Sequence, residues 1–226
     1  KILKLVSMSN NNDIILDFFS GSATTAHAVM QLNAEDGGKR KFIMVQLPEE
    51  TDEKSEAFKA GYKNICEIGK ERIRRAGEKI KEEAGLNGQD LDIGFRVLKL
   101  DSSNMKDIYY SADEYDQGML ENMQSNTKED RTDLDLLFGC LVDWGLELDK
   151  PYTTKVINGH KVHIYNDGDL VACFEKDLDM KTIDEIAKLQ ALRVVFCDNS
   201  FVDSATKINV AEHFKMIAPD TDIKVI

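Results

Sequence analysis

The run at residues 14–50, IILDFFSGSATTAHAVMQLNAEDGGKRKFIMVQLPEE, limits the fold more than any other part of the chain. Ile14–Phe18 is almost continuously apolar, the pattern of a strand buried on both faces of a parallel sheet. Small residues follow at Ser20-Gly21-Ser22-Ala23, and residues 24–32 then read as a helix. Asp36-Gly37-Gly38-Lys39 turns the chain into a second buried strand at residues 42–47, which Pro48 ends. Parallel neighbours need such a helical crossover. The loop before the helix therefore lies at the strand's carboxyl end, where an α/β protein brings backbone N–H groups close to a ligand.

Residues 55–84 carry the longest helical pattern, with Phe58, Tyr62, Ile65, Gly69, Ile73, Ala76 and Ile80 recurring at steps of four and three. Glycines at 61, 69 and 77 each cost about 1 kcal/mol against alanine in a helix interior, so a break is admitted there. Arg72, Arg74, Arg75, Lys79 and Lys81 alternate with Glu67, Glu71, Glu78, Glu82 and Glu83, which reads as a solvated, salt-bridged face rather than a nucleic-acid surface. Residues 93–100 (IGFRVLKL) read as a third strand. The order β-α-β-α-β is one mononucleotide-binding half of a doubly wound sheet.

Residues 101–131 are acidic and poor in aliphatic side chains, and are expected to be a linker with a short helix. Beyond them, Leu134, Leu137, Phe138, Leu141 and Val142 mark an amphipathic helix, and Asn158-Gly159 between alternating segments marks a hairpin. Strands at 170–174, 192–197 and 222–225, with helices at 182–190 and 204–216, complete a second small α/β domain at 132–226. Residues 1–100 are the first, partial domain.

The 226 residues, 42% hydrophobic, are enough for one large or two small cores. No apolar run approaches the roughly 20 residues of a membrane helix, and no membrane partner is expected. Cys66, Cys140, Cys173 and Cys197 are widely spaced without a C-x-x-C pair, so four reduced thiols are expected, and no metal site. Charge is uneven. Up to Asp90 there are 14 Lys/Arg against 15 Asp/Glu, a net of −1; from Leu91 onward 15 against 26, a net of −11. The acidic half repels phosphates.

The chemistry-bearing segment is Asp17-Phe18-Phe19-Ser20-Gly21-Ser22-Ala23-Thr24-Thr25. Gly21 suits a tight turn that exposes its N–H; Ser22, Thr24 or Thr25 can cap the helix; Asp17 offers a carboxylate to a cationic ligand group. Residue types alone do not separate a binding loop from an ordinary strand-to-helix connection. His27, one turn into the helix, reads as a packing or surface residue, and Trp144 as core.

This segment closely resembles the Asp-x-Phe-x-Gly-Ser-Gly-Thr loop of amino-group DNA methyltransferases. The likeness runs on through NICEIGKERIRRAGEKI and GFRVLKLDSSN, covering about the first hundred residues, and is nearest to the modification subunit of type III restriction–modification systems. The resemblance implies an α/β, partial Rossmann-like methyltransferase sheet and S-adenosyl-L-methionine as cofactor. Asp17, Phe18, Phe19, Ser20, Gly21, Ser22, Ala23, Thr24 and Thr25 would hold its methionine portion. Gln46, where related enzymes carry an acidic residue, would accept from its ribose hydroxyls, with Glu49 as a substitute. Ala23 departs from the family's second glycine.

The same resemblance implies a bacterial cytoplasmic protein that methylates adenine N6 in DNA, and that meets DNA, a restriction subunit and a second copy of itself. The family's catalytic Asp/Asn/Ser-Pro-Pro-Tyr/Phe motif is absent: the prolines are Pro48, Pro151 and Pro219. In this permuted class that motif precedes the cofactor loop. The chain is therefore expected to be the C-terminal part of such a subunit, with no catalytic residue of its own and no activity alone. The alternative is a non-catalytic assembly module, docking to the restriction subunit or to another modification subunit.

Overall fold

A computed structural model describes Leu3 and residues 12–106, 126–201 and 204–226. The chain divides into two compact units, Lys1–Arg96 and Val97–Ile226. Residues 1–8, whose apolar-flanked sequence reads as the end of a helix, lie outside the described residues apart from Leu3, as does the short helix expected within the linker.

In the first unit β1 (Ile14–Phe18) pairs in parallel with β2 (Lys41–Val45), Asp17 opposite Met44. Between them runs α1 (Thr24–Asp36), stopped at Gly37, whose φ of 71° allows its N–H to close on Asn33 O. The expected 55–84 helix is two helices. α2 (Glu56–Lys59) is capped by Ser55, and α3 (Ile65–Ala84) by Asn64, whose side chain accepts from Glu67 N–H. The break falls at Gly61, φ 95°, a conformation that no helix continues through. Phe58 and Tyr62 therefore leave the apolar stripe. Ile73, Ala76 and Ile80 of α3 pack with Ala23, Ala26 and Met30, and Phe42 and Met44 of β2 pack against them.

Two expectations fail in this unit. Residues 91–100 form no strand, so the sheet is a β-α-β pair rather than a β-α-β-α-β half. Ile93 and Phe95 still alternate inward onto the α1–α3 core, but a strand also needs a ladder partner, and no strand is paired with this segment among the described residues. Nor is β1 buried on both faces. Both helices cover one side of the sheet, while Ile14, Leu16 and Phe18 are each more than 60% exposed, joined by Ile43, Val45 and Leu47.

The second unit holds a five-stranded sheet of order β3-β4-β5-β6-β7: β3 (Tyr152–Ile157), β4 (His160–Tyr165), β5 (Leu170–Cys173), β6 (Arg193–Phe196) and β7 (Asp222–Val225). The first three are antiparallel and the last three parallel. Asn158-Gly159, both at positive φ, makes the expected hairpin turn between β3 and β4. α4 (Asp133–Asp143), opened by a Thr132–Asp135 capping box, packs Leu137 and Leu141 with Tyr165, Leu170 and Val195. Ile183 and Ile186 of α5 (Met180–Ala187) and Val210 and Phe214 of α6 (Ser204–Ile217) pack with Val162, Val171, Val194 and Phe196. Alternating strand residues thus feed two cores, one on each face. The described ends of the expected linker join this unit: Lys106 N–H donates to Asn126 O at 2.6 Å, and Asn104 Nδ2 to Asp135 O at 2.8 Å.

All four cysteines are free thiols. Burial pushes Cys140, Cys173 and Cys197 up to about 11, which marks them as inert core residues. Trp144 packs on the α4 core, with Lys224 over its ring at 5.2 Å. Among the described residues no His/Cys/Asp/Glu group could hold a metal, and no helix is long and apolar enough to cross a membrane.

Candidate functional site

The loop between β1 and α1 is shaped by three left-handed residues in five: Phe19 (φ 67°), Gly21 (φ 55°) and Ala23 (φ 58°). Glycine takes this conformation freely, but a residue with a Cβ pays roughly 1–2 kcal/mol for it. Loop hydrogen bonds hold the strain in place. Phe19 N–H and Ser20 N–H both donate to Val45 O (2.8 and 3.1 Å), Ala23 N–H closes on Ser20 O at 3.0 Å, and Gly21 N–H donates to Gln46 Oε1 at 2.7 Å. α3 supports the loop from below: Gly69 lies where a Cβ would stand 3.5 Å from Ala23 Cβ and from Gly21 O.

Ala23, left-handed and buried, is the N-cap of α1 and supplies no side-chain acceptor. The expected caps, Ser22, Thr24 or Thr25, do not act as such. The reason is local. Thr25 turns its hydroxyl to Asp17 Oδ2, 2.5 Å away, and Ala23's left-handed backbone replaces the extended geometry that a capping side chain needs. The first-turn N–H groups, without an intrahelical partner in any α-helix, so have no side-chain acceptor here. With the positive end of the helix dipole they make a seat for an anionic group.

The strand ends bring the expected residues together. Asp17 and Gln46 flank the loop from the carboxyl ends of β1 and β2, Ser20, Gly21 and Ser22 are part-exposed, and Thr24 is exposed. Phe18 and Phe19 stand edge to face at 4.7 Å, both more than 60% exposed. Gln46 does more than its type announced: its carbonyl oxygen holds Gly21 and its amide donates to Leu47 O, so it ties β2 to the loop. Glu49 is exposed, its backbone carbonyl accepting from Ile65 N–H at the start of α3. Two further residues of α3 support the site: Gly69 beneath the loop, which the sequence set on the apolar stripe, and Cys66, which carried no recognisable signal and whose thiol lies 3.5 Å from Leu47 O.

A family model described as DNA methylase matches residues 2–78, the segment that contains β1, the loop, α1, β2 and most of α3. Over those residues the chain is similar to the DNA methylase family. It is similar to the StyLTI Mod subunit, a type III restriction–modification enzyme of Salmonella typhimurium, with 46% identity over 96 residues, 42% of this chain and 14% of that protein. The EcoP15I Mod subunit of Escherichia coli is 30% identical over an alignment of 236 residues that takes in 100% of this chain and 34% of its own. The type II methyltransferase M.KpnI of Klebsiella pneumoniae is 43% identical over 61 residues, 27% of this chain and 15% of its own. The chain thus spans between about a seventh and a third of the length of these relatives. The strained loop lies inside the matched segment.

Proposed function

We propose that this chain is the cofactor-holding part of a type III modification subunit, which transfers a methyl group from S-adenosyl-L-methionine to adenine N6 in DNA. The observation that carries the reading is the loop at residues 19–23, where Phe19 and Ala23 are held left-handed on either side of Gly21. Strain of this kind persists where the surroundings over-determine it, and it gathers at ligand clamps. The residues present fit the cofactor. The uncapped N-terminus of α1 takes its carboxylate, and Asp17 is placed for its ammonium group, since a carboxylate that accepts from Thr25 retains further acceptor sites. Gln46 holds the loop through Gly21 and has a second lone pair for a ribose hydroxyl.

When bound, the cofactor supplies an electrophilic methyl group on a sulfonium. This chain contributes orientation, a matter of proximity rather than of acid or base chemistry. It has no Pro-Pro pair to hold a flipped adenine, so we infer that it binds the cofactor and does not catalyse alone. Its partners in the whole protein would be DNA and a restriction subunit, in the cytoplasm of a bacterium. The net −11 from Leu91 onward favours a second role for that half, as a module for assembly with protein rather than with DNA.

Calorimetric titration of the 226-residue chain with S-adenosyl-L-methionine tests the reading. Saturable binding that Asp17→Ala abolishes is expected, with folding stability reduced by only about 1 kcal/mol, the worth of the lost Thr25 hydrogen bond. Unchanged affinity in that variant removes Asp17 from the site.

A further inference from the structure

The sheet of the second unit ends at β3, which pairs with β4 and with no other strand among the described residues. We propose that this edge takes up an extended, acidic segment of a partner protein as an added strand. Such pairing gives the assembly role proposed for this half a surface and a kind of partner. It rests on that role and not on the cofactor loop, which lies in the other unit, so the peptide and cofactor titrations fail independently.

The ladder leaves backbone groups on the open side. Pro151 O accepts from Asn166 N–H at 2.8 Å, and hydrogen-bonded pairs alternate with non-hydrogen-bonded ones along antiparallel strands. The bonded pairs are therefore Thr153 with Ile164, Lys155 with Val162, and Ile157 with His160. Thr154 and Val156 fall between them, opposite His163 and Lys161, so their N–H and C=O groups point away from β4. Both residues are exposed, Val156 by 69%. The β-branched run Thr153, Thr154, Val156 and Ile157 favours extended backbone, the state to which a peptide adds by main-chain hydrogen bonds.

Charge names the occupant. Residues 151–166 contain Lys155, Lys161, His160 and His163 and no Asp or Glu, within a half whose net charge is −11. His160 lies near Asp179, and His163 is 3.5 Å from Asp133. No ion pair engages Lys155 or Lys161 among the described residues. The two faces of the edge ask for different side chains: apolar beside Val156, acidic beside Lys155, which points to the opposite face. Lys161, across from Val156, adds to the same field. A second copy centred on this edge would set Lys155 against Lys155, a like-charge pair that opposes it. The lysine that deters a like strand therefore suits an acidic one.

The test is fluorescence anisotropy of a labelled synthetic peptide that alternates glutamate with valine, titrated with the full chain. Saturable binding that weakens with salt is expected. The same peptide with lysine for glutamate, or with alternate backbone nitrogens methylated, should not bind. Lys155→Glu combined with Lys161→Glu, both exposed positions, should weaken binding by about tenfold, while circular dichroism stays unchanged. Val156→Pro removes an outward N–H and no ladder bond, a change that edge strands tolerate, and should abolish binding. Where the proline variant fails to fold, the lysine pair decides. A charge-matched control, Lys188→Glu with Lys215→Glu on exposed positions of the same unit, should change affinity by less than about twofold. No saturable binding, equal loss in the control pair, or displacement of the peptide by a DNA duplex at equal concentration overturns the proposal. So does a Val156→Pro variant that turns an associating chain into a monomer in sedimentation velocity, which assigns the edge to a second copy.

Discussion

Ala23 shows how one side chain records a compromise in this loop. Its φ of 58° is a glycine conformation, yet its methyl group is buried against Gly69. Relief of backbone strain and loss of buried surface oppose each other at this position, so Ala23→Gly should change stability by less than about 1 kcal/mol. Ala23→Val is different: a β-branched side chain is a true outlier at positive φ, and its extra methyls enter the buried space beside Gly69. A loss of roughly 2 kcal/mol or more in urea denaturation is expected, with weakened cofactor binding; a variant as stable as the parent chain contradicts the account of the loop. Much of this site was legible beforehand, since Asp17, Gly21 and Gln46 stand at strand ends that periodicity locates. The left-handed Phe19 was not, because backbone angles at a non-glycine residue come from the hydrogen bonds that Val45 and Gln46 impose across the fold.

At the scale of elements, α3 separates what a glycine does from where it lies. A Cβ at Gly69 would meet its neighbours at 3.5 Å, ordinary contact, whereas at Gly77 it would stand 3.0 Å from Ile93 Cβ. Gly69→Ala should therefore gain most of the about 1 kcal/mol by which alanine is favoured in a helix. Gly77→Ala should gain less, or lose, because Ile93 must move. Denaturation midpoints decide it, and a Gly77→Ala variant more stable than Gly69→Ala overturns the packing argument. The sequence set Gly69 on the apolar stripe but gave Gly77 no packing role. It also marked 55–84 as one helix: the i, i+4, i+7 spacing of Phe58, Tyr62 and Ile65 is helical, but Gly61 and the Asn64 cap outweigh it locally. Ile93 and Phe95 kept an inward alternation, while Val97, Leu98 and Leu100 are exposed, and the segment lost strand character for want of a partner, a condition that periodicity does not report.

In the molecule as a whole, the second unit satisfies both faces of its sheet and the first satisfies one. That difference was hidden in the sequence, since an apolar run specifies that a strand be covered without saying by what. Ile14, Leu16 and Phe18 of β1 with Ile43 and Val45 of β2 form a contiguous apolar patch beside a β1 edge that no strand among the described residues pairs. Each such side chain is worth roughly 1.5–3 kcal/mol when fully buried, so the patch leaves several kcal/mol ungained, and an open edge invites further pairing. The 226-residue chain should accordingly self-associate in sedimentation velocity at micromolar concentration and bind an apolar dye. Leu16→Lys with Ile43→Glu sets opposite charges on neighbouring strands of this face, where register pairs Leu16 with Ile43. Neither side chain contributes to the α1–α3 core, so the double variant should remain folded, shift toward monomer and lose most of the dye signal. A parent chain that is monomeric and dye-silent, or a variant that associates as strongly, would show that this face carries no such drive.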